Sequence, residues 1–207
     1  MKTQSYTSLK MWSDCPYLYY RTYVRKDLPR PSGPALERGS KVHSILEQAV
    51  KERKPPHSVW VPDGMLDWIW RQGGKAELEL ALDAKLNRVD FWDKTAVLRG
   101  KLDVTLMDDG VHVIDWKTGQ FRVDRLQAEV TSLLLMRGQQ ASMSFTWVFV
   151  DQEKTHFDII EPDIQKKVAH LVRTVREESR FPTRNNWRCR FCQVPKDDCQ
   201  AWNRGQG

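Results

Sequence analysis

Gly100-Lys101-Leu102-Asp103 and Ile114-Asp115-Trp116-Lys117-Thr118-Gly119 are the stretches on which the fold turns. Around them apolar residues recur at every second position, so Val97 to Met107 and Val111 to Lys117 read as two strands joined at Asp108-Asp109-Gly110. A two-residue Asp109-Gly110 turn pairs Asp108 with Val111 and sets Asp103 opposite Trp116. A three-residue loop with Gly110 in the left-handed position pairs Met107 with Val111 and sets Asp103 opposite Asp115. The second register gathers Leu98, Leu102, Val104, Leu106, Ile114 and Trp116 on one face, with Arg99, Lys101, Asp103, Asp115 and Lys117 on the other. Burial patterning therefore selects it.

Two carboxylates opposed at about 5 Å repel by roughly 3 kcal/mol at an effective dielectric of about 20. A divalent cation between them reverses that sign. Oxygen-rich ligation beside a lysine suits Mg²⁺ or Mn²⁺ acting on a phosphate ester, with Lys117 adding positive charge. The plain alternative is a surface hairpin whose Asp115 and Lys117 are simply solvated.

Outward from the hairpin, a helix is predicted from Leu36 to Lys54, ended by Pro55-Pro56. Its inward stripe reads Leu36, Gly39, His43, Leu46 and Val50. Two shorter helices are predicted over Met65 to Arg71 and Lys75 to Val89. Asp124 to Arg137 returns to helical spacing, with Asp124 as N-cap. Ser142 to Val150 and Thr155 to Ile160 form a second strand pair, and Pro162 opens a last helix to about Arg180. This order specifies an α/β fold, a mixed central β-sheet flanked by helices. The 207 residues suit one domain able to bury a core without staples.

His43 in Gly39-Ser40-Lys41-Val42-His43, Asp103 in Gly100-Lys-Leu-Asp103, and Asp115-Trp-Lys117-Thr-Gly resemble the PD-(D/E)XK nuclease superfamily. Their order resembles its RecB-type branch. The resemblance implies a restriction-endonuclease-like core in which His43, Asp103, Asp115 and the backbone carbonyl of Trp116 hold Mg²⁺ or Mn²⁺. Asp103, Asp115 and Lys117 would be catalytic. The branch also carries a glutamine and a tyrosine on the next helix. Gln127 matches the first as a substrate contact, whereas Thr131 stands in place of the tyrosine.

Four cysteines occur, Cys15 alone and Cys189-x2-Cys192-x6-Cys199 near the end. Three thiolates so close can face one centre, and a tetrahedral site takes a fourth, for which Cys15 is the candidate. The pattern is similar to the iron–sulfur nucleases of the same branch, including AddB-type subunits and CRISPR-associated exonucleases. It implies a [4Fe–4S] cluster joining residues 1–34 and 181–207 beside a 36–180 catalytic core. Zinc accepts four cysteines equally well, and a structural or disulfide-bonded triplet is the third reading.

Charge and aromatics point the same way with less force. Thirty-three Lys and Arg against 27 Asp and Glu give +6, which favours an anionic partner without naming it. Arg173, Arg176 and Arg180 recur at helical spacing and are candidate DNA contacts; a solvated helix face is the alternative. Tyr17, Tyr19, Tyr20, Arg21, Tyr23, Arg25 and Lys26 suit stacking on unpaired bases between cationic contacts, or packing of the rings about a metal cluster. A polar N-terminus and short apolar runs predict an intracellular protein with no membrane segment. The expectation is a stand-alone metal-dependent DNA nuclease, an exonuclease acting on ends or single strands in recombination, repair or DNA processing. A separate helicase or recombination protein would be its partner. The rival readings are a non-catalytic nucleic-acid-binding module on the same fold and a zinc-stabilised adaptor.

Overall fold

The structure, a computed structural model, describes residues 3–107 and 110–203. Six strands form one sheet: β1 (Lys75–Leu82), β2 (Arg88–Val89), β3 (Leu98–Leu106), β4 (Val111–Lys117), β5 (Met143–Phe149) and β6 (Lys154–Ile160). Their spatial order is β2-β1-β3-β4-β5-β6. Only β4 and β5 run parallel; the other neighbours are antiparallel. A parallel step needs a crossover, and the helix between these strands, Arg125–Met136, provides it.

The helices are α1 (Tyr6–Asp14), α2 (Pro16–Tyr19), α3 (Pro34–Glu52), α4 (Met65–Arg71), α5 (Arg125–Met136), α6 (Ile164–Glu177) and the short α7 (Gln200–Asn203). Asp124 caps α5, its carboxylate accepting the Leu126 N–H at 3.2 Å. One face of the sheet packs on α1, α5 and α6 through Leu9, Leu133, Leu134, Val168, Leu98, Leu102 and Phe145. The other packs on α3 and α4 through Val42, Leu46, Ile69, Val104, Leu106, Ile114 and Trp116. The mixed sheet flanked by helices is the architecture that the order of elements predicts. No helix among the described residues is long and apolar enough to cross a membrane.

Three local expectations are corrected. Lys75 to Val89 is not a helix but β1 and β2. Its Ala, Glu, Leu and Lys favour helix by intrinsic propensity, yet Ala76, Leu78, Leu80 and Leu82 alternate, and sheet packing prevails over propensity. The hairpin register is the expected one, with Val104↔Ile114, Thr105↔Val113 and Leu106↔His112 paired, although Asp108 and Asp109 of its turn lie outside the described residues. Its apolar set is divided, however. Leu98 and Leu102 join the α5 side, whereas Val104 and Leu106 join the α3 side. Strand β3 therefore changes face at Asp103. The pairs with β1 skip at the same point, from Ala76↔Val104 to Leu78↔Leu102, and Glu77 there has φ of 57°. Both sheet faces are covered by helices, so apolar residues are welcome on either. Finally, Leu36 is 54% exposed, because the buried stripe of α3 begins only at Val42.

Candidate active site

The change of face at Asp103 sets up the site. Pairing of β3 with β4 ends at Val104↔Ile114, so the next residues, Asp103 and Asp115, stand where the strands part. The Asp103 side chain takes over from the ladder: Oδ2 accepts the Trp116 N–H at 2.8 Å. Its Oδ1 lies 3.1 Å from His43 Nδ1, which reaches across from α3. Burial pulls the His43 pKa down, but the hydrogen bond and charge of Asp103 outweigh it and hold the imidazole above its usual value.

Asp115 lies two residues before Lys117 on β4 and is 7% exposed. Gln127 Nε2 on α5 donates to its Oδ1 at 2.5 Å, and Lys117 Nζ stands 2.6 Å from its Oδ2. Burial pushes the Asp115 carboxyl up to about 6, with Lys117 opposing and Asp103 adding to the rise. Oδ2 is buried without a well-formed hydrogen bond. Desolvation outweighs what the Gln127 amide and the Lys117 ammonium return to the buried carboxylate, which is why its proton affinity rises.

A cleft of about 510 Å³ opens over this cluster, lined by Gly39, Ser40, His43, Glu77, Lys101, Asp103, Trp116, Lys117 and Thr118. Two glycines permit its shape. A Cβ on Gly39 would meet Thr118 Oγ1 at 3.3 Å, so glycine lets α3 come close to the strand end. Gly119 has φ of 84° and donates its N–H to Asp151 Oδ2 at 2.7 Å. Asp151 also takes a two-pronged contact from Arg38 of α3, at 2.7 and 3.0 Å. One carboxylate thus ties the helix carrying His43 to the loop that follows Lys117.

The predicted set is brought together in part. His43, Asp103, Asp115, Trp116, Lys117 and Gln127 are neighbours. Gln127 holds Asp115 rather than lining the cleft, and Thr131 is buried. Arg173, Arg176 and Arg180, on α6 and just beyond it, are not among the cleft's lining residues, and Arg176 is partly buried. Glu77 and Asp151 were not foreseen. Glu77 lay inside a segment read as helix, and Asp151 acts through partners 32 and 113 residues away, for which one sequence holds no signal.

The oxygen and imidazole donors suit a hard divalent cation. In the arrangement seen, His43 engages Asp103 and Lys117 engages Asp115. Among the described residues no three His, Cys, Asp or Glu side chains converge as a single-ion shell.

The four cysteines are free thiols around one cavity of about 670 Å³ between the N-terminal helices and the C-terminal segment. Burial raises the Cys192 thiol, and Cys15, Cys189 and Cys199 add to the rise, as close neighbours do. Hydrogen bonds hold the two ends together. Asn186 Nδ2 donates to the Asp14 carbonyl at 2.8 Å, and the Tyr17 N–H donates to the Pro182 carbonyl at 3.2 Å. Arg188 pairs with Asp14 at 2.7 Å. Buried Arg21 bridges Asp27 and Asp198 at 2.8 and 3.0 Å. The tyrosines are largely spent on this packing. Tyr19 and Tyr23 are buried and stacked at 5.5 Å, and Tyr20 stacks on Phe181 at 4.7 Å. The base-stacking alternative for Tyr19, Arg21 and Tyr23 is set aside, since none is exposed.

Comparison with known proteins gives these elements a family. No curated protein matches the chain. In fold it is similar to the crystal structure of SSO0001, with a TM-score of 0.58 at 17% identity over 98% of this chain and 87% of that one. The family profile of the PD-(D/E)XK nuclease superfamily matches residues 3–89 and 61–197, which together span most of the sequence. The chain therefore belongs to the PD-(D/E)XK nuclease superfamily, and its six-stranded sheet with flanking helices is a restriction-endonuclease-like fold.

Proposed function

We propose that the protein is a divalent-metal-dependent DNA nuclease of the RecB-type branch, an exonuclease hydrolysing phosphodiester bonds of linear or single-stranded DNA. The observation that carries this reading is the meeting of Asp103, Asp115, Lys117 and His43 at the point where β3 and β4 part. Asp103, Asp115, His43 and the Trp116 carbonyl are the residues that would hold Mg²⁺ or Mn²⁺. When bound, such a cation neutralises charge on the phosphate and acidifies a water.

The chain's own residues supply the remainder. The Trp116 N–H fixes the Asp103 carboxylate, and Gln127 fixes that of Asp115. Lys117, beside Asp115, would carry its charge to a phosphate oxygen and steady the anion that develops on phosphorus. His43 Nδ1 faces the Asp103 carboxylate, a contact that orients the imidazole, whose neutral form is the one a metal ligand requires.

Cys15, Cys189, Cys192 and Cys199 would bind a structural [4Fe–4S] cluster, with zinc as the alternative. The four thiols line one shared cavity, which supports a common metal site for them. Arg173 and Arg180, both exposed, are left as backbone contacts outside the cleft. A recombination or helicase partner would supply unwound ends.

End-labelled linear DNA should be degraded with Mg²⁺ or Mn²⁺, and chelator should stop the reaction. A Lys117→Ala protein is the control. Cleavage no faster than that control's in every metal tested would leave a non-catalytic binding module as the reading.

A further inference from the structure

With the N-terminal tyrosines largely committed to packing, another aromatic surface lies beside the site. The loop from Lys117 to α5 carries Phe121 and Arg122, both exposed. Phe121 rests on Phe149 at 4.6 Å between ring centroids, with Lys154 Nζ 5.7 Å from its ring. Arg122 lies over the Trp187 ring at 4.8 Å, and Arg188 lies over the same ring at 5.3 Å. Trp187 is nonetheless 57% exposed, and Phe191 on the same one-turn helix is 79% exposed. Of the five large exposed aromatics among the described residues, three belong to this surface. Aromatics kept in water cost solubility unless something covers them.

We propose that Phe121 and Trp187 form a stacking platform for the bases of a single strand, with Arg122 and Lys154 pairing with its phosphates. Charge complementarity selects this occupant. Each ring already has a cation at its face or edge, and a nucleotide offers both a π-face for the ring and an anion for the cation. A duplex hides its base faces and would use only the cations. Phe121 is four positions beyond Lys117, at most about 14 Å of extended chain. A strand held there is within a few nucleotides of the cleft. The platform thus deepens the nuclease reading by giving its substrate a track from the cleft toward the cysteine-bearing C-terminal segment.

The test is binding, measured without divalent cation so that cleavage plays no part. Fluorescence anisotropy would follow a labelled oligothymidylate of about 20 nucleotides, and a duplex of equal length, on the full chain. Phe121→Ala and Trp187→Ala should each weaken single-strand binding about tenfold, as loss of one stacked base does, and duplex binding by less than about twofold. Trp187→Phe, which keeps a ring, should recover most of the affinity, and this separates stacking from damage to the nearby cysteines. Single-strand binding within about twofold of the parent for both alanine variants overturns the platform. So does equal loss on duplex, or a Trp187→Phe protein as weak as Trp187→Ala. Absent cleavage with these binding differences intact would reject the nuclease reading and leave the platform standing.

Discussion

Asp103 accepts the backbone N–H of Trp116 with one carboxylate oxygen while the other faces His43. A catalytic candidate is thereby also a piece of the sheet, replacing a ladder bond where β3 and β4 separate. Its two roles can be parted by substitution. Asp103→Ala orphans the Trp116 N–H and should cost about 1–3 kcal/mol of stability as well as cleavage. Asp103→Asn retains an acceptor for that N–H and should stay within about 1 kcal/mol of the parent, yet lose about a thousandfold or more in rate. Denaturant titration alongside the cleavage assay checks both. An Asn variant as unstable as the Ala variant would show that the N–H contact contributes little.

The buried Asp115 has the opposite relation to stability. Its folded pKa of about 6 exceeds the unfolded value of about 3.9, so the native carboxyl retains a proton that the unfolded chain has lost. The stability contributed by protonation is full below the unfolded value and is lost as pH rises through about 6. At pH 8 the ionised group is therefore a burden carried for function. Asp115→Asn should abolish cleavage and raise stability by about 1–3 kcal/mol at pH 8, a few degrees in Tm for a chain of this size. The difference should shrink at pH 5. Thermal unfolding at the two pH values reads this directly, and a variant less stable than the parent at pH 8 overturns it.

Asp151 joins Arg38 of α3 to the Gly119 N–H, two residues beyond Lys117. An exposed ion pair adds little to stability, so its value lies in position. Asp151→Ala should lower kcat about tenfold with KM and stability little changed, because the loop after Lys117 loses its anchor. Asp151→Asn can still accept the Gly119 N–H and should restore most of the rate. If kcat is unchanged in Asp151→Ala, the tie is ornamental.

How much of this was legible in sequence depended on range. The β3–β4 register was readable because alternation and a short turn are local properties, and the Asp124 cap of α5 was readable for the same reason. The face change at Asp103 was not. Covered on both sides, the sheet tolerates leucine on either face, so burial patterning cannot tell which helix Leu102 meets. The composition of Lys75 to Val89 favours helix while Ala76, Leu78, Leu80 and Leu82 alternate, and a helix reading there conceals Glu77 at the cleft. The tyrosine cluster shows the same limit from the other side. Aromatic and basic composition suits both nucleic acid and packing, and only the burial of Tyr19, Arg21 and Tyr23 decides between them.

The cysteines offer the last prediction. Cys15 sits at the junction of α1 and α2, while the other three lie beyond residue 188, and hydrogen bonds and ion pairs already bring the two ends together. A metal there would reinforce contacts that exist rather than create the fold. Anaerobically purified protein should be brown and contain iron and sulfide, and Cys15→Ala should lose the metal as completely as Cys192→Ala. Both variants should keep the main β-sheet by circular dichroism while residues 181–203 become sensitive to protease. A colourless preparation containing zinc would replace the cluster with a zinc site. Metal retained in Cys15→Ala would remove Cys15 from the ligand set, and unchanged protease resistance would mean that the ends are held by Asn186, Arg21 and Arg188 alone.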